Sequence, residues 1–121
     1  MLNGRTVLIV EEEFLIALDI QRMLETHAVG QTLFARTAAE AAQLLANWSD
    51  LALAVIEIRD GQATTHQLVN SLCAAGVPVI VTSSNGAVSQ SIRDLRLPVV
   101  TKPIPEDALA SALSIALAAS D

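Results

Sequence analysis

The stretch LALAVIEIRDG, residues 51–61, decides the fold. It opens with six consecutive aliphatic residues, and Glu57 ends the apolar run. A continuous apolar run without polar alternation is typical of a strand that is covered on both faces in a parallel sheet. A carboxylate at the end of such a strand is costly to desolvate unless another group pairs with it. The stretch therefore predicts a central strand over 51–57 and a partner for Glu57.

Segments of the same kind recur along the chain and alternate with helical patterns. The predicted strands are 5–10, 31–35, 51–57, 77–83 and 98–101, and the predicted helices are 13–27, 37–48, 64–75, 88–95 and 105–120. Strict alternation of strands and helices implies βαβ crossovers and a parallel sheet. We therefore expect a single α/β domain over 1–121, built as a three-layer sandwich with helices on both faces of the sheet.

Two helices carry local signals of their own. The first predicted helix places Phe14, Leu18 and Leu24 near one face, which indicates the side that packs against the sheet. The second begins at Thr37, and Glu40 follows three residues later, which is the spacing of a capping box.

Composition excludes several classes of protein. The chain has 121 residues, of which 52% are hydrophobic and 17% charged, so it is long and apolar enough for one folded domain. No apolar run approaches the roughly 18 residues of a membrane span, and the start lacks the layout of a secretory signal. The lone cysteine, Cys73, favours a cytoplasmic location. The net charge of −6, with one lysine and scattered arginines, argues against nucleic-acid binding.

Polar side chains follow four of the predicted strands, at the edge where open parallel sheets bind ligands. They are Glu11, Glu12 and Glu13 after the first strand, Glu57 at the end of the third, Ser83, Ser84 and Asn85 at the fourth, and Lys102 after the last. Two like charges about 4 Å apart repel by roughly 4 kcal/mol at an effective dielectric constant of 20. Lys102 can offset about one negative charge. The remainder requires a bound cation such as Mg²⁺ or Ca²⁺, a raised carboxyl pKa, or help from Arg59.

Taken in order, these residues resemble the receiver domain of response regulators in two-component signalling, over essentially the whole chain. The resemblance rests on VLIVEEEFLIALDIQRML (7–24), VPVIVTSSNG (77–86) and LPVVTKPI (97–104). It implies a flavodoxin-like (βα)5 fold of the chemotaxis-regulator type, with a five-stranded parallel sheet in the order 2-1-3-4-5. It also implies a signalling module of a phosphorelay rather than an enzyme, in which a histidine kinase phosphorylates an aspartate at the end of the third strand.

The resemblance assigns a role to each matching position. These are Glu11 and Glu12 as the acidic pair, Glu57 as the phosphoacceptor position, Ser83 and Lys102 as the phosphoryl contacts, Pro103 as a cis proline, Val99 as the position of a switch aromatic, and Glu12 with Glu57 as the Mg²⁺ ligands.

Three of these positions depart from the pattern of the family. Glu57 and Glu12 stand where the family has aspartates, and Val99 stands where an aromatic residue is usual. The additional methylene of Glu57 moves its carboxylate by about 1 Å, which is enough to impair an in-line reaction. The same reach places a negative charge where a phosphoryl oxygen would lie. Glu57 is then a partial mimic, because it supplies about −1 where a phosphoryl group supplies about −1.5 to −2.

We therefore expect weak or absent Mg²⁺ binding, direct pairing of Lys102 with Glu57, and a stand-alone, atypical receiver that acts through protein–protein contact. Its partner would be a histidine kinase or a downstream regulator. Two alternatives stay open. One is a working phosphoreceiver that uses Glu57 inefficiently or another acid, such as Asp60. The other is an acidic pocket that binds a cation or a small ligand.

The last predicted helix has an unusually wide apolar arc. Its expected core face comprises Leu109, Ala112, Leu113 and Ala116, and the arc is widened by Ile115 and Leu117. By the resemblance, the fourth helix, last strand and last helix together form a homodimer or partner surface. The other interpretation is an alanine-rich helix that only packs against the sheet.

Overall fold

A computed structural model describes residues 2–44, 51–59, 63–85 and 88–119. Within these ranges, five strands alternate with five helices along the chain. The strands are β1 (Thr6–Val10), β2 (Gln31–Ala35), β3 (Leu51–Glu57), β4 (Val79–Ser83) and β5 (Val99–Thr101). The helices are α1 (Phe14–Glu25), α2 (Ala38–Leu44), α3 (Ala63–Ala74), α4 (Gln90–Arg93) and α5 (Glu106–Ala119).

The strands form one parallel sheet in the order β2-β1-β3-β4-β5, which confirms the predicted flavodoxin-like topology. β3 lies at the centre, and all seven of its residues are buried, as its continuous apolar sequence predicts. In the register of the sheet, Val10 pairs with Ile56, and Glu57 pairs with Thr82. The residues that follow β1 therefore lie beside the end of β3.

The core has one part on each face of the sheet. On one face, α1 and α5 bury Ile20, Leu24, Leu109 and Leu113 against the sheet. On the other face, α2, α3 and α4 supply a second set of buried residues, which includes Ala41, Leu68, Leu72 and Ile92. The predicted core face of α5 is confirmed, because Leu109, Ala112, Leu113 and Ala116 are all buried.

The expected apolar face of α1 is partly wrong. Its buried residues are Ala17, Ile20 and Leu24, whereas Phe14 is 64% exposed. Phe14 is the first residue of the helix, and its ring lies edge-on to Phe34 with ring centroids 6.2 Å apart. The ring of Phe14 thus contacts β2, one of the two edge strands of the sheet, rather than the interior.

Helix ends differ from the predicted bounds by a few residues. Thr37 precedes α2 as its cap, and its Oγ1 accepts a hydrogen bond of 3.1 Å from the N–H of Glu40, which is one half of the expected capping box. Residues 45–48 of that predicted helix lie outside the described residues. α4 is only four residues long, and Ser89 caps it by accepting a hydrogen bond from the N–H of Ile92. No described helix combines the length and apolar character that a bilayer crossing requires.

Candidate functional site

A buried ion cluster lies at the carboxyl edge of the sheet, where β1, β3 and β5 end. Lys102 Nζ donates to Glu11 Oε1 at 2.8 Å and also contacts Glu57 Oε2. Glu57 is only 7% exposed, and the side chain of Glu11 is more deeply buried still. One ammonium group therefore bridges two carboxylates that are almost wholly removed from water. Lys102 is thus the partner of Glu57 that the sequence of the third strand predicts.

Strand alternation explains which acids turn inward. Successive side chains of a strand point to opposite faces of the sheet, so residues two apart share a face. Glu11, Glu57 and Lys102 each come two residues after a core residue on the α1/α5 face; these core residues are Ile9, Val55 and Val100. Glu12 follows Val10, which belongs to the opposite face. The parity of these positions is a signal in the sequence from which Glu11, rather than Glu12, could have been predicted as the second buried partner of Lys102.

Glu12 joins the site from outside, through Arg59. The guanidinium of Arg59 donates from Nε to Glu57 Oε1 at 3.2 Å and contacts Glu12 Oε2 through Nη1 at 2.5 Å. The second oxygen of Glu11 accepts a hydrogen bond of 3.1 Å from the N–H of Glu13. Both oxygens of Glu11 and both oxygens of Glu57 therefore have partners within the chain. The ion pair between Arg59 and Glu12 had not been inferred from the sequence.

Ser83 ends β4 and is buried. Its Oγ donates to Asn85 Oδ1 at 3.1 Å and accepts from the N–H of Asn85 at 3.4 Å, which forms a small turn at the end of the strand. The carbonyl of Ser83 accepts the N–H of Lys102 at 2.8 Å, so β4 fixes the backbone from which the lysine projects. The Lys102–Pro103 peptide bond that follows is cis, as the resemblance implies.

Three of the remaining predicted residues are exposed. Glu13 and Ser84 are exposed, and so is Val99, which is 39% exposed on β5. Asp60, the other candidate acceptor, lies outside the described residues. Beside Glu57, a cleft of about 390 Å³ is lined in part by Glu12, Arg36 and Arg59. The roles that the resemblance assigns to these positions stay predictions.

The buried charges shift one another's titration. Burial raises the pKa of Glu11 and outweighs the hydrogen bonds from Lys102 and the N–H of Glu13. Burial acts in the same direction on Glu57, but the hydrogen bond and charge of Lys102 outweigh it, so its pKa lies below the ordinary value. Burial would lower the pKa of Lys102, yet its hydrogen bonds to both acids raise it. The lysine therefore stays charged at neutral pH, and Glu57 is the acid that it holds ionised.

The carboxylates, arranged in this way, do not fit the Mg²⁺ that the receiver resemblance implies. Mg²⁺ requires oxygen ligands at about 2.0–2.1 Å in a nearly octahedral shell. Here the oxygens of Glu57 are engaged by Lys102 and Arg59, and Glu12 is engaged by the same guanidinium. Among the described residues, no group of three or more His, Cys, Asp or Glu side chains is placed to hold a metal ion.

Comparison by sequence finds no relative, since no family model and no curated protein matches the chain. Comparison by structure finds similar proteins. A response regulator receiver domain protein from Clostridium thermocellum superposes with a TM-score of 0.76 at 16% identity, over 95% of both chains. The signal receiver domain of a modulated diguanylate cyclase from Desulfovibrio desulfuricans superposes with a TM-score of 0.73 at 20% identity, over 95% of this chain and 94% of that one.

A third structure has a higher sequence identity. The BeF3-activated conformation of SdrG from Pseudomonas melonis superposes with a TM-score of 0.71 at 26% identity, over 97% of this chain and 99% of that one. Two of these three structures are described as receiver domains, and SdrG is described only by its BeF3-activated conformation. This chain therefore has the fold of response-regulator receiver domains.

Proposed function

We propose that this receiver-fold chain is a signalling module that acts through protein–protein contact and is held in one state by Glu57, without phosphorylation. The observation that carries the proposal is the contact of Lys102 with both Glu11 and Glu57 inside the pocket. In a module of this kind, the charges and hydrogen-bond partners around Lys102 determine where the ammonium group of that lysine lies. Here those interactions come from side chains of the chain itself.

Glu57 is poorly suited to accept a phosphoryl group. An acceptor oxygen must be free to attack in line, and rates are sensitive to displacements of about 1 Å. Glu57 Oε1 accepts a hydrogen bond from Arg59, and Oε2 contacts Lys102, so both candidate nucleophiles are already engaged. Each oxygen keeps a second lone pair, but a positively charged partner at each one lowers its nucleophilicity and restricts its orientation. We therefore expect phosphoryl transfer to Glu57 to be very slow.

The same contacts support a mimic of the phosphorylated state. The carboxylate of Glu57 reaches the ammonium of Lys102, where a phosphoryl group on a shorter acceptor would make its own contact. It supplies one negative charge where a phosphoryl group supplies about −1.5 to −2 and three acceptor oxygens. The mimicry is therefore incomplete.

The face formed by α4, β5 and α5 is the surface that we propose for a protein partner, either a kinase, a downstream regulator or a second copy. Val99 on β5 is 39% exposed and Ile115 on α5 is 57% exposed. A cleft of about 320 Å³ beside them is lined in part by Leu95, Leu97 and Ile115. The pocket is coupled to this face because Lys102 directly follows β5 and is bonded through its backbone to Ser83.

Phosphorylation is tested directly by mass. The chain is incubated with acetyl phosphate and Mg²⁺, and the intact mass is measured for wild type and for Glu57→Gln. We expect no adduct of about 80 Da, the mass of a phosphoryl group, in either protein. An adduct in wild type that disappears in Glu57→Gln would instead establish a working phosphoreceiver. An adduct that persists in Glu57→Gln would place the acceptor on another residue.

The mimic is tested without a known partner. Glu57→Gln preserves shape and removes the charge that Lys102 contacts, so backbone amide shifts of Val99 and Ile115 should move in a two-dimensional NMR spectrum. Glu13→Gln is the matched control, because it removes an exposed acid from the same edge of the sheet. Shift changes in Glu57→Gln that stay within the pocket and leave Val99 and Ile115 unmoved would refute the coupling.

A further inference from the structure

The pocket contains a second counter-ion besides Lys102, and it lies on the solvent side. Arg59 joins Glu57 to Glu12 through two separate nitrogens of one guanidinium. Its side chain is 42% exposed, whereas both carboxylates that meet Lys102 are buried. Lys102 therefore offsets part of the negative charge of the carboxylates on the buried side of the pocket, and Arg59 offsets part of it on the solvent side.

The position of Arg59 follows from the end of β3. Glu57 is the last residue of the strand, and Arg59 lies two residues further along the chain. In an extended segment, residues two apart project to the same side. Ile58 between them is buried and donates its N–H to the carbonyl of Thr82 at 2.8 Å, which keeps the backbone aligned with the sheet as far as this point. The guanidinium is thus directed back over Glu57 by the strand itself.

Formal charges show what the guanidinium replaces. The three carboxylates of Glu11, Glu12 and Glu57 carry −3, and Lys102 contributes +1, which leaves −2 for a divalent cation to balance. Arg59 contributes a further +1 and leaves only −1. A divalent ion entering beside the guanidinium, at about 4 Å, would be repelled by roughly 8 kcal/mol at an effective dielectric constant of 20. This repulsion opposes the attraction of the carboxylates, and the guanidinium already occupies oxygens of Glu12 and Glu57 that the ion would need as ligands.

We infer that Arg59 is an intramolecular substitute for the divalent cation, and that its guanidinium keeps Mg²⁺ out of the pocket. An arginine side chain is charged at every accessible pH and presents fixed donors to two carboxylates. The positive charge beside Glu12 and Glu57 is therefore permanent and does not depend on the concentration of divalent ions. Removal of the guanidinium alone exposes Glu12 and Glu57 as oxygen ligands and creates a cation site that wild type lacks.

Metal titration tests this inference in the whole chain, without any phosphoryl donor. Mg²⁺, Ca²⁺ and Mn²⁺ are titrated separately into wild type and Arg59→Ala, with binding followed by calorimetry and by melting temperature. We expect no saturable binding in wild type up to millimolar concentrations. In Arg59→Ala we expect saturable binding that is at least about tenfold tighter, with a melting temperature that rises with ion concentration.

Three variants make the result specific to the guanidinium. Arg36→Ala removes the other arginine of the same cleft, which makes no ion pair with the three acids among the described contacts, and it should leave wild-type behaviour unchanged. Arg59→Lys keeps the positive charge and should still exclude the ion. Adding Glu12→Gln to Arg59→Ala removes one ligand and should abolish the gained binding.

Two outcomes of the titration would overturn the inference. One is Mg²⁺ binding to wild type as tight as to Arg59→Ala. The other is an Arg59→Ala protein that gains no binding. If Arg59→Ala is not folded, selective broadening of the Glu12 and Glu57 amides of wild type by submillimolar Mn²⁺ would overturn the inference equally. Each readout is independent of phosphorylation, so failure here would leave the mimic proposed for Glu57 standing, and failure of the mimic would leave this inference standing.

Discussion

Replacement of Lys102 by methionine is the sharpest perturbation of the buried cluster. Methionine keeps a long apolar side chain and removes only the ammonium that Glu11 and Glu57 share. Two carboxylates then remain in a poorly hydrated pocket without the charge between them. Removing one partner of a buried ion pair destabilises a protein by about 3–5 kcal/mol, because the other partner is left uncompensated.

The geometry allows an independent estimate of the loss. Both carboxylates contact the same nitrogen, so their nearest oxygens are within about 5 Å of each other, and two like charges at that distance repel by roughly 3 kcal/mol at a dielectric constant of 20. Protonation of one acid limits this cost. For a carboxyl group with an ordinary pKa of 4.5, proton uptake at pH 7 also costs about 3 kcal/mol. We therefore expect Lys102→Met to lower the free energy of unfolding by about 3 kcal/mol at pH 7.

The pH dependence of that loss distinguishes buried charge from lost packing. At pH 5, protonation of a carboxyl group with the ordinary pKa costs less than about 1 kcal/mol, so most of the destabilisation should disappear. Urea unfolding followed by circular dichroism at the two pH values measures both differences. Arg22→Met is the control, because Arg22 and Asp19 form an exposed pair at 3.7 Å that contributes at most about 1 kcal/mol.

A loss that is equal at pH 5 and pH 7 would refute the reasoning, since it would mean that packing of the lysine stem determines the effect. A loss below about 1 kcal/mol at pH 7 would refute it too, because the two acids would then have found water or separated. Lys102→Met combined with Glu11→Gln should recover part of the loss. A purely additive combination would indicate that Glu11 and Lys102 do not interact in solution.

Three further predictions concern single features. The pKa of Lys102 is raised above 10.5, so the stability that its charge contributes is complete below pH 10.5 and is lost as pH rises through the higher pKa of the folded chain. The difference in unfolding free energy between wild type and Lys102→Met should therefore shrink at alkaline pH. The raised pKa of buried Cys73 affects both proteins equally and cancels in that difference. Gly30→Ala places a Cβ 1.9 Å from the carbonyl oxygen of Gly4, and we expect chemical denaturation to show a loss of about 1–3 kcal/mol, with no loss contradicting the close approach. Thr37→Ala removes the cap of α2 and should cost about 1 kcal/mol by the same assay, whereas Thr37→Ser should cost little.

The fold could be predicted from the sequence wherever burial was complete. β3 has the predicted bounds because six aliphatic residues in succession fit only a strand covered on both faces. The predicted α4 is too long at both ends, because Ser89 caps its start and Asp94 already ends it, and periodicity shows neither position. Phe14 was assigned to the core side from its spacing alone. Spacing does not show that Phe14, the first residue of α1, is largely exposed and contacts Phe34 of the edge strand β2.

The site could be predicted only in outline. Parallel strands bring their carboxyl ends to one edge, so the gathering of the acids and Lys102 followed from topology. Strand parity could also have separated Glu11 from Glu12, but it does not separate Glu11 from Glu13, which is exposed because the chain has left β1 by that point. The ion pair between Arg59 and Glu12 depends on side-chain conformations in an exposed segment, and no periodicity encodes those.

The two proposals concern two different charges in the same pocket, the negative charge beside Lys102 and the positive charge beside Glu12 and Glu57. A conventional acidic pocket of this kind obtains its divalent cation and its phosphoryl charge from solution, and each can be withdrawn. In this chain, Glu57 supplies a negative charge to Lys102, and Arg59 supplies a positive charge to Glu57 and Glu12. Glu57 and Arg59 both lie within three residues of the end of β3, so one short segment of the chain would supply both charges of the pocket. If both proposals hold, Glu57→Gln alters the partner face without changing the response to metal, and Arg59→Ala creates a metal response while Glu57 still contacts Lys102. A variant that did both at once would show that the two charges act as one unit, and the separation argued here would be wrong.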